Sequence, residues 1–559
     1  MLALIAKQAV DAAPSRRLGS GFAGMAARMA LLPLLCLSVL FLVGRSDAAE
    51  KPSIVFILAD DLGYGDVRCL NPQGKIATPH MDRLAREGMT FTDAHSGSAV
   101  CTPTRYGLLT GRYAWRTRLQ SGVLGGLSPR LIEPKRMTVA SLLRDHGYRT
   151  GCVGKWHLGM DWVRKPGRPI NELGIESRGM VFNVEYGQPV ANGPTSVGFE
   201  YYFGISASLD MVPFCYIEND RVTALPSDDR DFLMLLGRPG KSTRRGPTAP
   251  GFDAANVLPD LTRKAVEFID NHADAARKGT PFFLYLPLAS PHTPILPTPA
   301  WQGKSGLNPY ADFVMETDAA VGAVLAALDR HGLAQNTLVI FTSDNGCSPE
   351  VQFAELQAKG HNPNHHFRGH KADIYEGGHR VPFLVRWPAK VKPGLVSDRL
   401  LCLTDFLATA AEVLSAPLPA DAGEDSVSFL PTLLGQGEQP ARAAVVHHSS
   451  NGSFAIRQGR WKLCLCPGSG GWSKPRPGVD DASQLPLVQL FDLSQDIGER
   501  RNLEAEQPGK VEELTALLER FVAEGRSTPG PRQANAVHVD IWKAGKQAHQ
   551  PLRPRQTRP

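Results

Sequence analysis

Long hydrophobic runs are almost missing from this chain of 559 residues. The one that stands out, Met29 to Gly44, has Arg16, Arg17 and Arg28 before it and the small residues Ser46-Asp-Ala-Ala49 after it. It reads as part of a secretory signal region over residues 1–49, with a membrane anchor as the alternative. Met25 or Met29, in place of Met1, would give a signal of more usual length. Charge of one sign is also scarce. Lys and Arg number 61 against 55 Asp and Glu, which leaves a net charge of +6. With no basic run interleaved with aromatics over most of the chain, nucleic acid is not an expected partner. A helical zinc-protease pattern is lacking too. His361, His365, His366 and His370 cluster, but Asn362-Pro-Asn364 breaks any helix and the required Glu is absent. The expected role of these histidines is a polar loop beside Lys371, at the mouth of a pocket.

What is present is the composition of a soluble globular protein, at a length that calls for two domains. Ser53 to Leu58, Thr150 to Val153, Pro281 to Leu288 and Thr337 to Phe341 read as strands, the longer ones as apolar runs buried on both faces. Between them, Thr78–Gly88, Thr138–His146, a face marked by Leu261, Ala265, Phe268 and Ile269, and Tyr310–His331 read as helices. Strand alternating with helix predicts an α/β domain with a largely parallel sheet. Each strand ends in polar residues: Asp60 and Asp61, Lys155 and His157, His292, Asp344 and Asn345. In open α/β sheets the ligand site lies beyond the carboxyl ends of the strands, so the topology would gather these residues. Beyond Pro440 short strands at hairpin spacing precede a helix over Lys510–Glu524. Residues 527–559, rich in Pro, Arg and Gln without a period, read as a poorly ordered tail.

The most specific stretch is Cys101-Thr-Pro-Thr-Arg105-Tyr-Gly-Leu-Leu-Thr-Gly111. Pro103 fixes one backbone angle and removes a donor, which predicts a turn followed by a helix from about Thr104. Cys101 would then lie near a helix N-terminus, where a thiol pKa is lowered. A lone cysteine in such a place is ordinarily a buried structural residue. Here the whole pattern Cys-x-Pro-x-Arg-x-x-Leu-x-Thr-Gly is present. Asp60, Asp61, Asp344 and Asn345 offer hard oxygen ligands that suit Ca²⁺ or Mg²⁺, although either pair alone could simply cap a turn.

This stretch resembles the signature of the sulfatases, a family of the alkaline phosphatase superfamily, and the resemblance runs from about Pro52 to about Leu517. The departure is Thr104, where the motif usually has serine. The group resembled is that of arylsulfatase A and N-acetylgalactosamine-6-sulfatase. The resemblance implies an alkaline phosphatase-like fold: a large mixed, mostly parallel sheet flanked by helices over residues 50–440, and a smaller antiparallel sheet with a helix over 441–526. It implies a sulfuric ester hydrolase in which a dedicated formylglycine-generating enzyme oxidises Cys101 to formylglycine. A cation, usually calcium with magnesium as the alternative, would be held by Asp60, Asp61, Asp344 and Asn345 and would contact residue 101. Gly154-Lys-Trp-His-Leu-Gly159, Ser290-Pro-His-Thr-Pro294 and the block from Lys371 to Pro382 each look like family blocks. Carried over, Lys155 and Lys371 bind sulfate oxygens, Arg105 orients the residue-101 loop, His157 serves the hydroxyls of the hydrated aldehyde, and His292 sits near the leaving oxygen. Ser208 matches a substrate-side serine.

Of nine cysteines, Cys36 falls in the signal and Cys101 is modified on this reading, which leaves an odd seven and no disulfide scaffold. A bond between Cys464 and Cys466, two apart on one strand, would be strained and is not expected. The expected location is secreted or periplasmic. The expected substrate is a sulfated saccharide or other sulfated small molecule. Trp162, Arg164, Lys165 and Arg168, in a long surface excursion after His157, are expected to select the sugar. Two rivals are a phosphomonoester or phosphonate hydrolase of the same superfamily, opposed by the complete Cys101 signature, and an inactive protein that binds sulfated glycans, opposed by retention of all the expected site residues.

Overall fold

Ser53-Ile-Val-Phe-Ile-Leu-Ala59 has no polar side chain beyond its first residue, and all seven residues are buried at the centre of a ten-stranded sheet. The computed structural model describes residues 51–166, 176–437 and 442–542, so the expected signal region, and Arg168, lie outside the described residues. The sheet contains β1 (Ser53–Ala59), β2 (Met89–Phe91), β3 (Arg149–Lys155), β4 (Tyr201–Ile205), β5 (Ile217–Glu218), β6 (Arg221–Val222), β7 (Phe282–Pro287), β8 (Thr337–Ser343), β9 (Phe383–Arg386) and β10 (Leu395–Ser397). Its order is β10-β2-β9-β8-β1-β7-β3-β4-β5-β6. The neighbours β8, β1, β7, β3 and β4 all run parallel. Antiparallel pairs flank this block on both sides, which makes the sheet mixed.

The helices that cover the sheet have readable starts. Pro309–Arg330 begins behind Asn308, whose side-chain oxygen accepts the backbone N–H of Ala311, with Pro309 at the first helical position. It packs against Val257–Arg277, which buries Leu261, Ala265, Phe268 and Ile269. Helix Phe406–Val413 sets the Phe406 ring 4.6 Å from that of Phe56 on β1 and packs on helix Cys101–Thr110.

A separate antiparallel sheet follows, of β11 (Val445–His448), β12 (Phe454–Gln458), β13 (Trp461–Cys464) and β14 (Gln489–Asp492) in that order. Helix Pro508–Glu524 buries Leu514, Leu517, Leu518 and Phe521 against it. Buried charges join the two sheets. Arg457 on β12 donates to both oxygens of Asp93, each at 2.7 Å, and Lys462 on β13 reaches Glu376 at 3.1 Å and Glu499 at 2.7 Å. The edge of this sheet also braces loops of the large one. Ala99 N–H donates to His448 O, and Ser450 N–H donates to Ala372 O.

Two expectations need correction. Residues 527–542 are no loose tail: Val539 and Ile541 are buried in the core of the small sheet, and Asn535 and Ala536 bond to Arg116. Single apolar residues dock there without any period for a pattern search to find. The stretch after His157 is not only a surface excursion either, because Met160, Trp162, Val184 and Val190 are core residues. The eight described cysteines are all free, including Cys464 and Cys466.

Candidate active site

Five parallel strands deliver polar side chains at one edge of the sheet. Asp60 and Asp61 follow β1, Lys155 closes β3 with His157 two residues on, Ser208 follows β4, His292 follows β7, and Asp344 and Asn345 follow β8. The strand exits are tied to one another through the backbone. Asp60 N–H donates to Ser290 O at 2.9 Å, Asp344 N–H to Ala59 O at 3.1 Å, and His157 N–H to Ser206 O at 3.0 Å. Asp61, His157 and Ala372 have φ of 63°, 55° and 79°, a left-handed conformation unfavourable for side-chain-bearing residues. Such strain persists only where the surroundings over-determine it, and it clusters at functional sites.

Cys101 is brought to this edge by helix Cys101–Thr110, whose first residue it is. The helix therefore starts earlier than Thr104. Pro103 lies in its first turn, where a backbone N–H has no partner to lose. Thr104 keeps the hydroxyl of the usual serine and donates to Ser98 O at 3.1 Å and Val100 O at 3.2 Å, which closes the loop before the helix. The expected low thiol pKa is not found. Cys101 is buried, and burial pushes its thiol up despite Lys155 and Lys371 nearby. Desolvation outweighs the helix terminus here, so the side chain is not poised as a thiolate.

Around Cys101 lies a buried ion-pair network. The sulfur is 3.6 Å from Asp60 Oδ1. Lys155 Nζ is 2.6 Å from Asp60 Oδ2, and Lys371 Nζ is 2.7 Å from Asp61 Oδ2. Arg105 donates twice to Asp344 Oδ2, at 3.2 and 2.8 Å, and once to the Lys155 carbonyl at 3.0 Å. Asp61 N–H donates to Asp344 Oδ1 at 3.2 Å. Burial would raise Asp60, but Lys155, His292, Arg105 and Lys371 outweigh it and hold the carboxyl well below the ordinary range. Burial would lower Lys371, but Asp61 foremost outweighs it, so the ammonium stays charged. Asp60, Asp61 and Asp344 are thus matched in number by Arg105, Lys155 and Lys371, and an anionic ester would offset part of the charge that a divalent cation brings.

Three unpartnered polar atoms show where ligands fit. Asn345 Nδ2 donates to Asp61 Oδ1 at 2.7 Å and Gly346 O at 3.0 Å, which fixes the amide and leaves its buried Oδ1 with no partner. One ligating atom from each of Asp60, Asp61, Cys101 and His292 lies within 4.8 Å of the others. Carboxylates plus an orphaned amide oxygen fit a hard divalent cation. His157 Nε2 faces Leu124 O at 2.8 Å while Nδ1 is buried and unpartnered. Burial foremost, with Lys155 and Arg105, holds this imidazole well below its usual pKa, hence neutral. Ser208 Oγ is the third such atom. It bonds to none of the residues above. His292 Nδ1 meets Thr293 O at 2.6 Å, which turns Nε2 towards Asp61 Oδ2 at 3.6 Å.

The other expectations for this region divide. His370 lies next to Lys371, as expected, but His361 is bonded to Asp66 at 2.8 Å, and the four histidines do not form a metal-ligating group among the described residues. Trp162 is buried, donates to Gly126 O at 3.2 Å and meets the Tyr186 ring edge-on, so it cannot stack on a sugar. Two residues went unnoticed in the sequence. Trp472 is exposed with its ring 5.9 Å from Lys371 Nζ, and Asp373 binds its backbone. A lone tryptophan in the glycine-rich run Gly468-Ser-Gly-Gly-Trp472 carries no signal of where the loop will lie.

A mostly parallel sheet flanked by helices, with polar strand ends gathered at one edge and a separate small antiparallel sheet, is the architecture of alkaline phosphatase-like hydrolases. The sulfatase family model matches residues 52–416. The chain is 35% identical over 507 residues to the N-acetylgalactosamine-6-O-sulfatase of Bacteroides thetaiotaomicron, a match covering 84% of this chain and 93% of that one. It is 34% identical over 483 residues to human arylsulfatase A, covering 85% and 87%. A solved structure from work on the metabolism of multiple glycosaminoglycans by Bacteroides thetaiotaomicron superposes with a TM-score of 0.71 at 34% identity, covering 85% of this chain and 99% of that one. The chain belongs to the sulfatase family and is a sulfuric ester hydrolase.

Proposed function

We propose that this chain hydrolyses sulfate monoesters of carbohydrates to alcohol and inorganic sulfate, with residue 101 as formylglycine derived from Cys101 and with calcium held by Asp60, Asp61, Asp344 and Asn345. The observation that carries the reading is the place of Cys101: a buried, protonated thiol of little nucleophilic use, set between the Lys155–Asp60 and Lys371–Asp61 pairs. A hydrated aldehyde there would supply a nucleophilic hydroxyl and a second hydroxyl through which the aldehyde returns, while the cation would offset charge on the sulfate oxygens.

The chain's own residues serve that chemistry as follows. Lys155 and Lys371 bind sulfate oxygens, exchanging part of their bonding to Asp60 and Asp61 for the ester. Arg105 holds Asp344 in place through two donors. Asp344 helps take the proton from the attacking hydroxyl. His157, protonated on Nε2 by its bond to Leu124 O, accepts a proton at Nδ1 from the second hydroxyl. His292, or Lys371, donates to the leaving oxygen. Ser208 Oγ is free to bond substrate. The carbohydrate class rests on the Bacteroides thetaiotaomicron relative, named for N-acetylgalactosamine 6-sulfate, and on a structure solved in work on glycosaminoglycan metabolism.

We place the enzyme outside the cytoplasm, with residues 1–49 as signal, because modification of Cys101 by a formylglycine-generating enzyme accompanies export in this reading. Among the described residues no helix is long and apolar enough to cross a membrane. The test compares rates on N-acetylgalactosamine 6-sulfate and the matching 6-phosphate. The sulfate is expected to be the faster by orders of magnitude. A faster phosphate would select the phosphoesterase reading, and no turnover from protein with a converted residue 101 would select the glycan-binding one.

A further inference from the structure

We propose that Trp472 is the platform on which the saccharide ring carrying the sulfate ester stacks, so that the loop after the small sheet's third strand, far from Cys101 in sequence, selects the sugar. The inference rests on the carbohydrate reading above and adds the residue that recognises the ring.

Trp472 is 46% exposed, the only tryptophan among the described residues to be left so open. An indole in water forgoes the burial that usually settles an aromatic side chain, and such exposure marks a contact surface when it borders a functional pocket. The indole does border the site: its ring centre is 5.9 Å from Lys371 Nζ, an ammonium 2.7 Å from Asp61 and, in the reading above, a holder of sulfate oxygen. That separation is at the outer limit of a cation–π contact. Lys371 is already paired with Asp61, so the indole is not needed to hold it.

The loop is rigid where it counts. Asp373, fully buried, accepts the backbone N–H of Trp472 at 2.8 Å and of Ser473 at 3.0 Å on one oxygen. Its other oxygen accepts His370 N–H at 3.0 Å and the Ser473 hydroxyl. Ile374 N–H donates to Ser469 O at 2.7 Å. Gly471 lies so close to the Lys371 turn that a Cβ there would come within 2.3 Å of Ala372 O. The segment that carries Lys371 and the segment that carries Trp472 are therefore one unit, and the backbone that carries the ring is fixed relative to Lys371 before substrate arrives. Fixing it beforehand lowers the ordering cost of binding. A pyranose offers a face of C–H groups to such a ring, while its ester oxygen points at Lys371.

The experiment measures four quantities in the full-length enzyme, its Trp472→Ala variant and its Trp472→Phe variant. These are KM and kcat for N-acetylgalactosamine 6-sulfate, turnover of a small aryl sulfate, and the inhibition constant of inorganic sulfate, which probes the sulfate site alone. Trp472→Ala is expected to raise KM for the sugar sulfate about tenfold, the effect of one lost aromatic contact. Trp472→Phe should recover most of that, and the inhibition constant of sulfate should stay within about twofold, well under the tenfold that 1.4 kcal/mol corresponds to. An unchanged KM in Trp472→Ala overturns the platform while leaving the functional reading intact. So does a sulfate inhibition constant that rises in proportion to KM, since Trp472 would then support Lys371 and not the sugar. A wild-type enzyme that turns over the aryl sulfate and no sugar sulfate overturns this inference and the carbohydrate reading together.

Discussion

His157 Nε2 lies 2.8 Å from the carbonyl oxygen of Leu124, and the carbonyl can only accept. The proton therefore resides on Nε2, and the buried, unpartnered Nδ1 keeps a lone pair. A neutral imidazole with a fixed tautomer is a base at one stated atom. His157→Ala is expected to lower steady-state kcat by about 10²-fold or more with little change in KM. Rapid-mixing experiments should still show one equivalent of alcohol released before turnover slows. Equal losses in the burst and the steady state would place His157 elsewhere in the reaction.

The orphaned Oδ1 of Asn345 makes a prediction about the cation. Chelated wild-type protein should gain Tm on titration with Ca²⁺. Asn345→Ala should need about 10-fold or more of the ion for the same gain, the cost of a missing group in a metal shell. Asp344→Ala, which also releases Arg105, should reduce kcat more than KM. Chelated protein, proved metal-free by elemental analysis, that keeps full kcat and shows no Tm response would contradict the assignment.

Asp93 links stability to pH. Burial alone would raise its carboxyl, but Arg380, His95 and Arg457 outweigh burial and hold it well below the usual carboxylate range. The folded pKa is thus below the unfolded one. The stabilisation is complete above about pH 4 and is lost as pH falls through the folded value. Asp93→Asn should cost about 3 kcal/mol at neutral pH, because buried Arg457 loses its two-oxygen carboxylate partner and keeps only the carboxylate of Glu376, at 3.6 Å. Below about pH 4 the Tm of the wild type should fall more steeply than that of the variant. Parallel curves would show that Asp93 is not a source of the acid sensitivity.

Asp373 is predicted to be the brace of the Trp472 loop. Asp373→Ala removes the acceptor of two backbone N–H groups in that loop and should cost about 2 kcal/mol. Hydrogen exchange should accelerate in residues 469–474 and the sugar-sulfate KM should rise. Unchanged exchange in that segment would mean that the loop is held by other contacts.

The parts of the site that the sequence reveals are those written in local pattern. Ser53–Ala59 and Thr337–Ser343 are apolar runs that end in Asp60-Asp61 and Asp344-Asn345, and both the strands and the converging polar ends follow from period and topology. Cys101, Lys155, His157, His292 and Lys371 lie in short motifs that survive as units in the fold. Trp162 misled because an aromatic just past a strand end reads alike whether it turns inward or outward. Only the position of Gly126 and Tyr186 decides that it is core. Trp472 was invisible for the converse reason: its place beside Lys371 depends on Asp373, about 100 residues away, and on the pairing of a second sheet. The thiol pKa of Cys101 failed similarly, since a helix terminus is legible in sequence and complete burial is not.

The central claim is that residue 101 works as an aldehyde and not as a thiol. The most direct measurement is the peptide mass of residue 101 across preparations made with and without a formylglycine-generating enzyme, set against kcat for a sugar sulfate. The account predicts that kcat rises in proportion to the fraction carried as aldehyde and vanishes when Cys101 is wholly thiol. Full turnover by protein in which Cys101 remains a thiol would contradict it.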